Sequence, residues 1–113
     1  MNEYDLDKST FMGGWFIENE VCDRLVKLYY DNISLTKKGM VGNGRVDETS
    51  KKSNELVINV DKNESWIHEY RSILKDLVKL YIKKYPSCNE VSSYKLYNFV
   101  KIQHYKPSEG FYK

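Results

Sequence analysis

The chain has 113 residues, of which 41% are hydrophobic and 14% are aromatic. This is enough apolar material for one globular domain and too little for two, so we treat residues 1–113 as a single domain. Its 18 basic and 16 acidic residues nearly cancel, giving a formal charge of +2. Such a balance favours neither a nucleic-acid partner nor a membrane partner, and we expect neither.

The N-terminal sequence and the cysteines indicate the cellular compartment of the protein. Residues Met1–Lys8 are acidic and polar, without the basic start and apolar core of a signal peptide, and no apolar run approaches membrane-spanning length. Cys22 and Cys88 lie far apart and form no CxxC pair. We therefore expect a soluble, cytoplasmic protein, in which Cys22 is a buried small hydrophobe and Cys88 a loop thiol.

The first third of the chain predicts a strand and a helix. Residues Phe11–Ile17 are apolar around Gly13 and Gly14, which suits a short strand with a bend or a close backbone approach. Asn19 is a candidate N-cap for a helix that ends near Asn32. Apolar residues recur through this helix at helical spacing: Val21, Leu25, Leu28 and Tyr29.

The middle of the chain predicts a loop, a strand and a second helix. Residues 34–55 are polar and contain glycines, so they form a loop-rich connection before a short strand at Val57–Val60. The capping pattern Asn63-Glu64-Ser65 opens the helix with the broadest apolar face, which ends at Tyr85-Pro86. This face is expected to pack against a sheet and to bury Trp66, Tyr70, Leu74 and Leu77.

The last twenty residues predict a strand, a turn and another strand. Residues Tyr94–Tyr105 have the aromatic and β-branched composition of a long strand, and Phe111–Lys113 begin a further one. Proline and glycine make Lys106–Gly110 a turn between them. Alternation along the strand places Gln103 and Tyr105 on one face and His104 on the other.

The stretch Val100–Lys113 carries a family resemblance. It resembles the strand-turn-strand entrance to the double-stranded β-helix of Fe(II)/2-oxoglutarate-dependent dioxygenases of the prolyl 4-hydroxylase type. In that family an aromatic residue at a strand end precedes a Pro/Gly turn, a short aromatic strand, and then His-x-Asp or His-x-Glu, two of three iron ligands. These ligands would fall at the first or second residue beyond Lys113. Residues 11–32 and 39–58 resemble the family's opening strand and helix and its following loop and strand.

The resemblance implies a fold and two site residues. The fold is α+β, with two helices packed on an incomplete antiparallel sheet that forms the first part of a jelly-roll. Tyr105 matches the tyrosine that contacts 2-oxoglutarate in related prolyl hydroxylases, and Gln103 shares its face; the alternative for Tyr105 is a packed aromatic at a strand end. We assign no catalytic residue and no metal ligand. His68 is expected to be solvated and His104 exposed or at the core edge.

The resemblance also implies a function, the N-terminal part of a dioxygenase that hydroxylates a prolyl-like side chain of a peptide or protein substrate. The complete domain would use Fe(II) and 2-oxoglutarate. This chain lacks the metal triad, so we expect neither to bind it tightly and the chain alone to be inactive. Unpaired strand edges can also let it self-associate. The alternative is a small non-enzymatic α+β binding or assembly domain, which a closed sheet beside Lys113 would favour.

Overall fold

The computed structural model describes residues 1–62 and 65–113. This part of the chain is α+β, with helices α1 (Asn19–Asp31) and α2 (Ser65–Lys84) and small antiparallel sheets. The strands are β1 (Glu3–Tyr4), β2 (Gly14–Trp15), β3 (Lys37–Lys38), β4 (Lys51–Lys52), β5 (Asn54–Asn59), β6 (Phe99–His104) and β7 (Phe111–Tyr112). None of the described helices combines the length and the apolar character needed to cross a membrane.

The main sheet has three antiparallel strands in the order β3-β5-β6, with β6 at one edge. In its register Leu56 lies opposite Ile102, and Ile58 lies opposite Val100. Since side chains alternate between the faces of a sheet, these four residues share one face. They form the apolar surface on which the helices pack.

The core lies between that face and both helices. Its buried residues come from α1, β5 and α2, and half-buried apolar residues from α1, α2 and β6 surround them. The buried residues are Tyr29, Leu56, Ile58 and Ile67, and the surrounding ones are Leu25, Leu28, Tyr70, Val100 and Ile102. The coarse prediction of an α+β fold with two helices on one sheet face is therefore confirmed.

Helix α1 agrees with its prediction in length but not at its cap. It begins at Asn19, with Glu18 as an N-cap that makes no side-chain capping bond, so the predicted Asn19 cap is wrong by one residue. At its C-terminus the side-chain amide of Asn32 donates to the Leu28 carbonyl, with 3.0 Å between Nδ2 and the oxygen. Cys22 is exposed rather than buried, because it lies about 100° around the helix from the buried Val21.

Helix α2 ends at Lys84, immediately before Tyr85-Pro86, as predicted. Residues Asn63 and Glu64 of the predicted cap lie outside the described residues, as does the side chain of Trp66. Ile67 is 1% exposed and anchors the helix to the sheet, with Tyr70 packed beside it.

The second half of α2 overhangs the sheet. Its 20 residues span about 30 Å, whereas the six residues of β5 span about 20 Å. Leu74 and Leu77 are therefore only half-buried, and Leu77 lines a groove with Trp15 rather than the helix-sheet core. The prediction that both are buried against the sheet is wrong for this reason.

The N-terminal segment covers the overhanging half of α2. Tyr81 Oη donates to the Phe11 carbonyl at 2.6 Å, and Tyr85 Oη donates to the Lys8 carbonyl at 2.9 Å. The strand predicted at Phe11–Ile17 is reduced to β2, which pairs with β1 instead of joining the main sheet. The predicted close approach at Gly13 is confirmed, because a Cβ there would lie 2.7 Å from the Trp15 ring.

The boundaries of two other predicted segments also differ from those in the structure. The long strand predicted at Tyr94–Tyr105 is reduced to β6, and Tyr97 before it is 88% exposed. The loop-rich connection at 34–55 instead contributes β3, β4 and the first two residues of β5. Short-range composition missed these strands because their partners lie far away in sequence.

Ile67→Ala tests the position of the core. Emptying this buried site should lower the free energy of unfolding by about 2 to 5 kcal/mol, measured by urea denaturation. Val26→Ala, at a position of α1 that is 54% exposed, is the matched control and should change it by less than about 0.5 kcal/mol. Equal effects of the two substitutions would contradict the described packing.

Candidate functional site

A large bulge interrupts the pairing of the two longest strands. Asn54 lies opposite His104 at the end of β5-β6, and pairing resumes with Lys52 opposite Phe111 and Lys51 opposite Tyr112. The six residues 105–110 on one strand are thus opposed by Ser53 alone. The strand-turn-strand order is as predicted, but β7 continues along the same partner chain and does not form a hairpin with β6.

The turn inside the bulge fixes Tyr105. The amides of Glu109 and Gly110 both donate to the Lys106 carbonyl, at 3.2 and 2.7 Å. A Cβ on Gly110 would lie 2.7 Å from Tyr105 Cα, so only glycine fits where the turn closes onto Tyr105. The predicted turn at Lys106–Gly110 is confirmed.

A polar cluster around a buried ion pair lies on the sheet face opposite the helices. Lys51 and Glu55 are 4% and 5% exposed, and Lys51 Nζ lies 2.6 Å from Glu55 Oε1. Gln103 Nε2 donates to the same oxygen at 2.8 Å, and Lys101 Nζ lies 3.1 Å from Oε2. We call Lys51, Glu55, Lys101 and Gln103 the polar cluster.

A local turn directs Lys51 into this cluster. Asp47 Oδ1 accepts hydrogen bonds from the Thr49 amide and hydroxyl, at 3.1 and 2.6 Å, and the Lys51 amide donates to the Asp47 carbonyl at 2.9 Å. The bonds from Thr49 lower the pKa of Asp47. The sequence Asp-x-Thr-Ser therefore reverses the chain through local bonding and starts β4 with Lys51 pointing inward.

Gly39 covers the cluster from the side of β3. Its amide donates to the Ser53 carbonyl at 2.9 Å, and a Cβ on it would overlap Ser53 Oγ and lie 3.1 Å from Glu55 Oε1. Lys51 Nζ also lies 3.4 Å from the Met40 carbonyl, to which it donates. A glycine is needed at position 39 because of this close approach.

The charges of the buried pair stabilise each other. Burial acts to raise the pKa of Glu55, but hydrogen bonds from Lys51, Gln103 and Lys101 outweigh it and hold that pKa below its ordinary value. The hydrogen bond to Glu55 raises the pKa of Lys51 against the opposing effect of burial. Both groups are therefore ionised at neutral pH.

The structure joins Gln103 to Lys51 through Glu55, to which both side chains donate hydrogen bonds. Tyr105 is half-buried at the start of the bulge. The Tyr112 ring lies 5.0 Å from Lys51 Nζ. The sequence did not reveal Lys51 and Glu55, although their spacing of two residues on either side of Ser53 would have indicated one strand face had the strand been extended to residue 51.

The two histidines lie away from this face. His68 is exposed on α2. His104 is half-buried at the core edge on the helix side of β6, with its ring 5.0 Å from the Tyr29 ring. Both agree with their predictions. Among residues 1–62 and 65–113 no three His, Cys, Asp or Glu side chains form a group that could hold a metal ion. The described residues thus do not fit an iron centre by themselves.

Comparison with known proteins identifies no relative of this chain. No family model, no curated protein and no solved structure matches this chain. The geometry of the polar cluster and the bulge therefore carries the functional argument.

Glu55→Ala tests the buried pair. Removing the carboxylate leaves Lys51 buried without its partner, which should cost about 3 to 5 kcal/mol of stability in urea denaturation. The double variant Lys51→Met/Glu55→Leu should recover much of this loss, because apolar side chains of similar volume need no charge partner. A loss below about 1 kcal/mol for Glu55→Ala would match an exposed pair and contradict the burial.

The depressed pKa of Glu55 also predicts a pH dependence. A carboxylate whose folded pKa lies below its ordinary value of 4.5 adds stability above that pH and loses it as the pH falls through the folded pKa. The melting temperature should therefore drop below about pH 4.5 more steeply in the natural chain than in Glu55→Gln. If the melting temperatures of the two proteins fall in parallel as the pH is lowered, Glu55 contributes nothing to the loss of stability in acid.

Proposed function

We propose that this chain is the N-terminal part of an Fe(II)/2-oxoglutarate-dependent dioxygenase of the prolyl 4-hydroxylase type, acting on a peptidyl side chain. One observation carries the proposal. Gln103, which the resemblance places with Tyr105 at the cosubstrate site, donates to Glu55 beside Lys51 on the sheet face that the helices leave open. Tyr105 follows at the start of the bulge, where the turn closed by Gly110 packs against it.

The arrangement of the sheet supports a jelly-roll as the complete fold. In that architecture two sheets face each other, so one face of this sheet would meet the second sheet. The face opposite the helices carries Val57 and Phe99, which are 54% and 59% exposed, and β6 lies at the sheet edge. Further strands could pair with this edge and cover this face. The same edge accounts for the expected self-association of the chain.

The charge of the open face supports an anionic cosubstrate. Lys51 and Lys101 both bind Glu55, so two cations face one carboxylate and the cluster carries a net positive charge. A dicarboxylate such as 2-oxoglutarate would be attracted to this surface. In this proposal Tyr105 contacts the cosubstrate, and the polar cluster holds Gln103 in place beside it. The iron ligands would have to come from residues that follow Lys113.

One observation favours the alternative, a non-enzymatic binding or assembly domain. Both carboxylate oxygens of Glu55 are already occupied, by Lys51 and Gln103 on one and by Lys101 on the other. A fully paired cluster can serve packing alone. The two functions differ in what they require of the sequence after Lys113 and in the effect of removing the Tyr105 hydroxyl.

The test begins with the coding sequence that follows the Lys113 codon. We predict His-x-Asp or His-x-Glu, starting at the first or second residue. The protein extended through the distal His and Arg should release succinate from 2-oxoglutarate in the presence of Fe(II), whereas the 113-residue chain should not exceed a chelated control. Tyr105→Phe in the extended protein should raise the KM for 2-oxoglutarate about tenfold, the usual loss for one hydrogen bond to a charged group.

Tyr97→Phe is the matched control, because Tyr97 is 88% exposed and removing its hydroxyl should leave the KM unchanged. A downstream sequence without the histidine motif would support the alternative domain. An equal effect of the two tyrosine substitutions would remove Tyr105 from the cosubstrate site while leaving the family proposal testable by succinate release.

A further inference from the structure

A second polar site lies on the other face of the same sheet. The register aligns Lys38 with Asn54, and Asn54 with His104, so these three residues form a row across β3, β5 and β6. Asn54 shares its face with Leu56 and Ile58, which places the row on the helix side. The polar cluster lies on the opposite side, so the two sites are distinct.

The row forms the floor of a recess at the end of the β5-β6 pairing. The recess has a volume of about 170 Å³, and the bulge supplies Lys106, Glu109 and Gly110 as one wall. Lys52 and Glu48 complete it on the side of β4. This volume is roughly ten times what one ordered water needs, so a small ion with some of its water fits and a large ligand does not.

The recess carries unpaired positive charge. Lys38 is committed to Glu48, with Nζ 2.9 Å from Oε1. Within the described part of the chain, neither Lys52 nor Lys106 has an ion-pair partner within 4 Å, and only Glu109 adds a further negative charge. Two lysines against one carboxylate leave a net positive site.

Two further polar side chains stand beside these lysines. The His104 ring is held by the Tyr29 and Tyr30 rings, at centroid distances of 5.0 and 6.1 Å, so its orientation is fixed by packing. His104 and Asn54 both line the recess, and in the described structure neither side chain has another hydrogen-bond partner. An imidazole, an amide and two ammonium groups therefore meet around one small volume.

We propose that this recess binds a phosphate group, either as free phosphate or as a phosphomonoester. Lys52 and Lys106 supply the charge, and His104 and Asn54 supply directional donors from the sheet floor. Glu109 opposes the anion and weakens its binding. The site requires neither iron nor 2-oxoglutarate, so the proposal of a phosphate site does not depend on the proposed dioxygenase function.

The 113-residue chain can be titrated with inorganic phosphate at constant ionic strength and followed by two-dimensional NMR of its backbone amides. We expect saturable shifts confined to residues around the recess, with a Kd of about 1 mM or lower. Lys52→Gln and Lys106→Gln should each weaken binding at least about fivefold, because each removes a charge-assisted contact. Glu109→Gln should tighten binding, since it removes the opposing charge.

Lys75→Gln is the control, because Lys75 is exposed on α2 away from the recess and should leave the Kd unchanged. A parallel titration with O-phosphoserine identifies the source: binding as tight as that of phosphate indicates a phosphomonoester, and its failure indicates the free ion. Shifts that rise without saturating, equal weakening by Lys75→Gln, or no change in Glu109→Gln would each overturn the proposal. Spectra that overlay the natural chain outside the recess establish that the variants fold.

Discussion

The chain segment from β4 to β5 pairs with the segment from β6 to β7, and these two segments differ in length. The positions of both candidate sites depend on this difference. Pairing runs to Asn54 and His104 and resumes at Lys52 and Phe111, so residues 105–110 are forced out of the sheet opposite one serine. Tyr105 thereby begins the bulge two residues after Gln103, and Lys106 and Glu109 line a recess together with His104. A regular hairpin at this point would have produced neither site.

The buried pair makes this pairing specific. Removing Lys51 and Glu55 from water costs several kcal/mol per ion, which good geometry and further hydrogen bonds must offset. Gln103 and Lys101 supply those bonds only while Glu55 lies opposite Gln103. A slip of one residue would turn Glu55 toward the apolar helix side, where it has no such partners. The pair therefore opposes alternative registers even where it adds little net stability.

Regular periodicity made part of the fold predictable. Both helices, the turn at Lys106–Gly110 and the core-edge position of His104 could be predicted because each depends on residues within a few positions of one another. The burial of Leu77 was predicted wrongly because it depends on how far α2 extends past a six-residue strand, which no local pattern records. Helix length relative to sheet length is a tertiary property.

The residues of the candidate sites likewise include some that local patterns predicted and some that they did not. Gln103 and Tyr105 were predicted from resemblance and alternation and stay a prediction as cosubstrate contacts, whereas Lys51 and Glu55 were missed because charged residues in a glycine-containing polar segment are usually exposed. Their burial depends on Gly39 and on Gln103, which lies 48 residues from Glu55. Only the three-dimensional pairing shows that Lys51 and Glu55 of this segment form a buried ion pair.

Strand β7 continues the ladder of β5-β6 through β4 and leaves residues 105–110 as a bulge. Cross-strand nuclear Overhauser effects measure this directly, because opposed residues of an antiparallel pair have Cα atoms about 4.5 to 5.5 Å apart. We expect contacts between the backbones of Asn54 and His104 and, in the same protein, between those of Lys52 and Phe111. Contacts of Phe111 with the backbone of β6, in place of Lys52, would instead indicate a hairpin and would contradict the bulge.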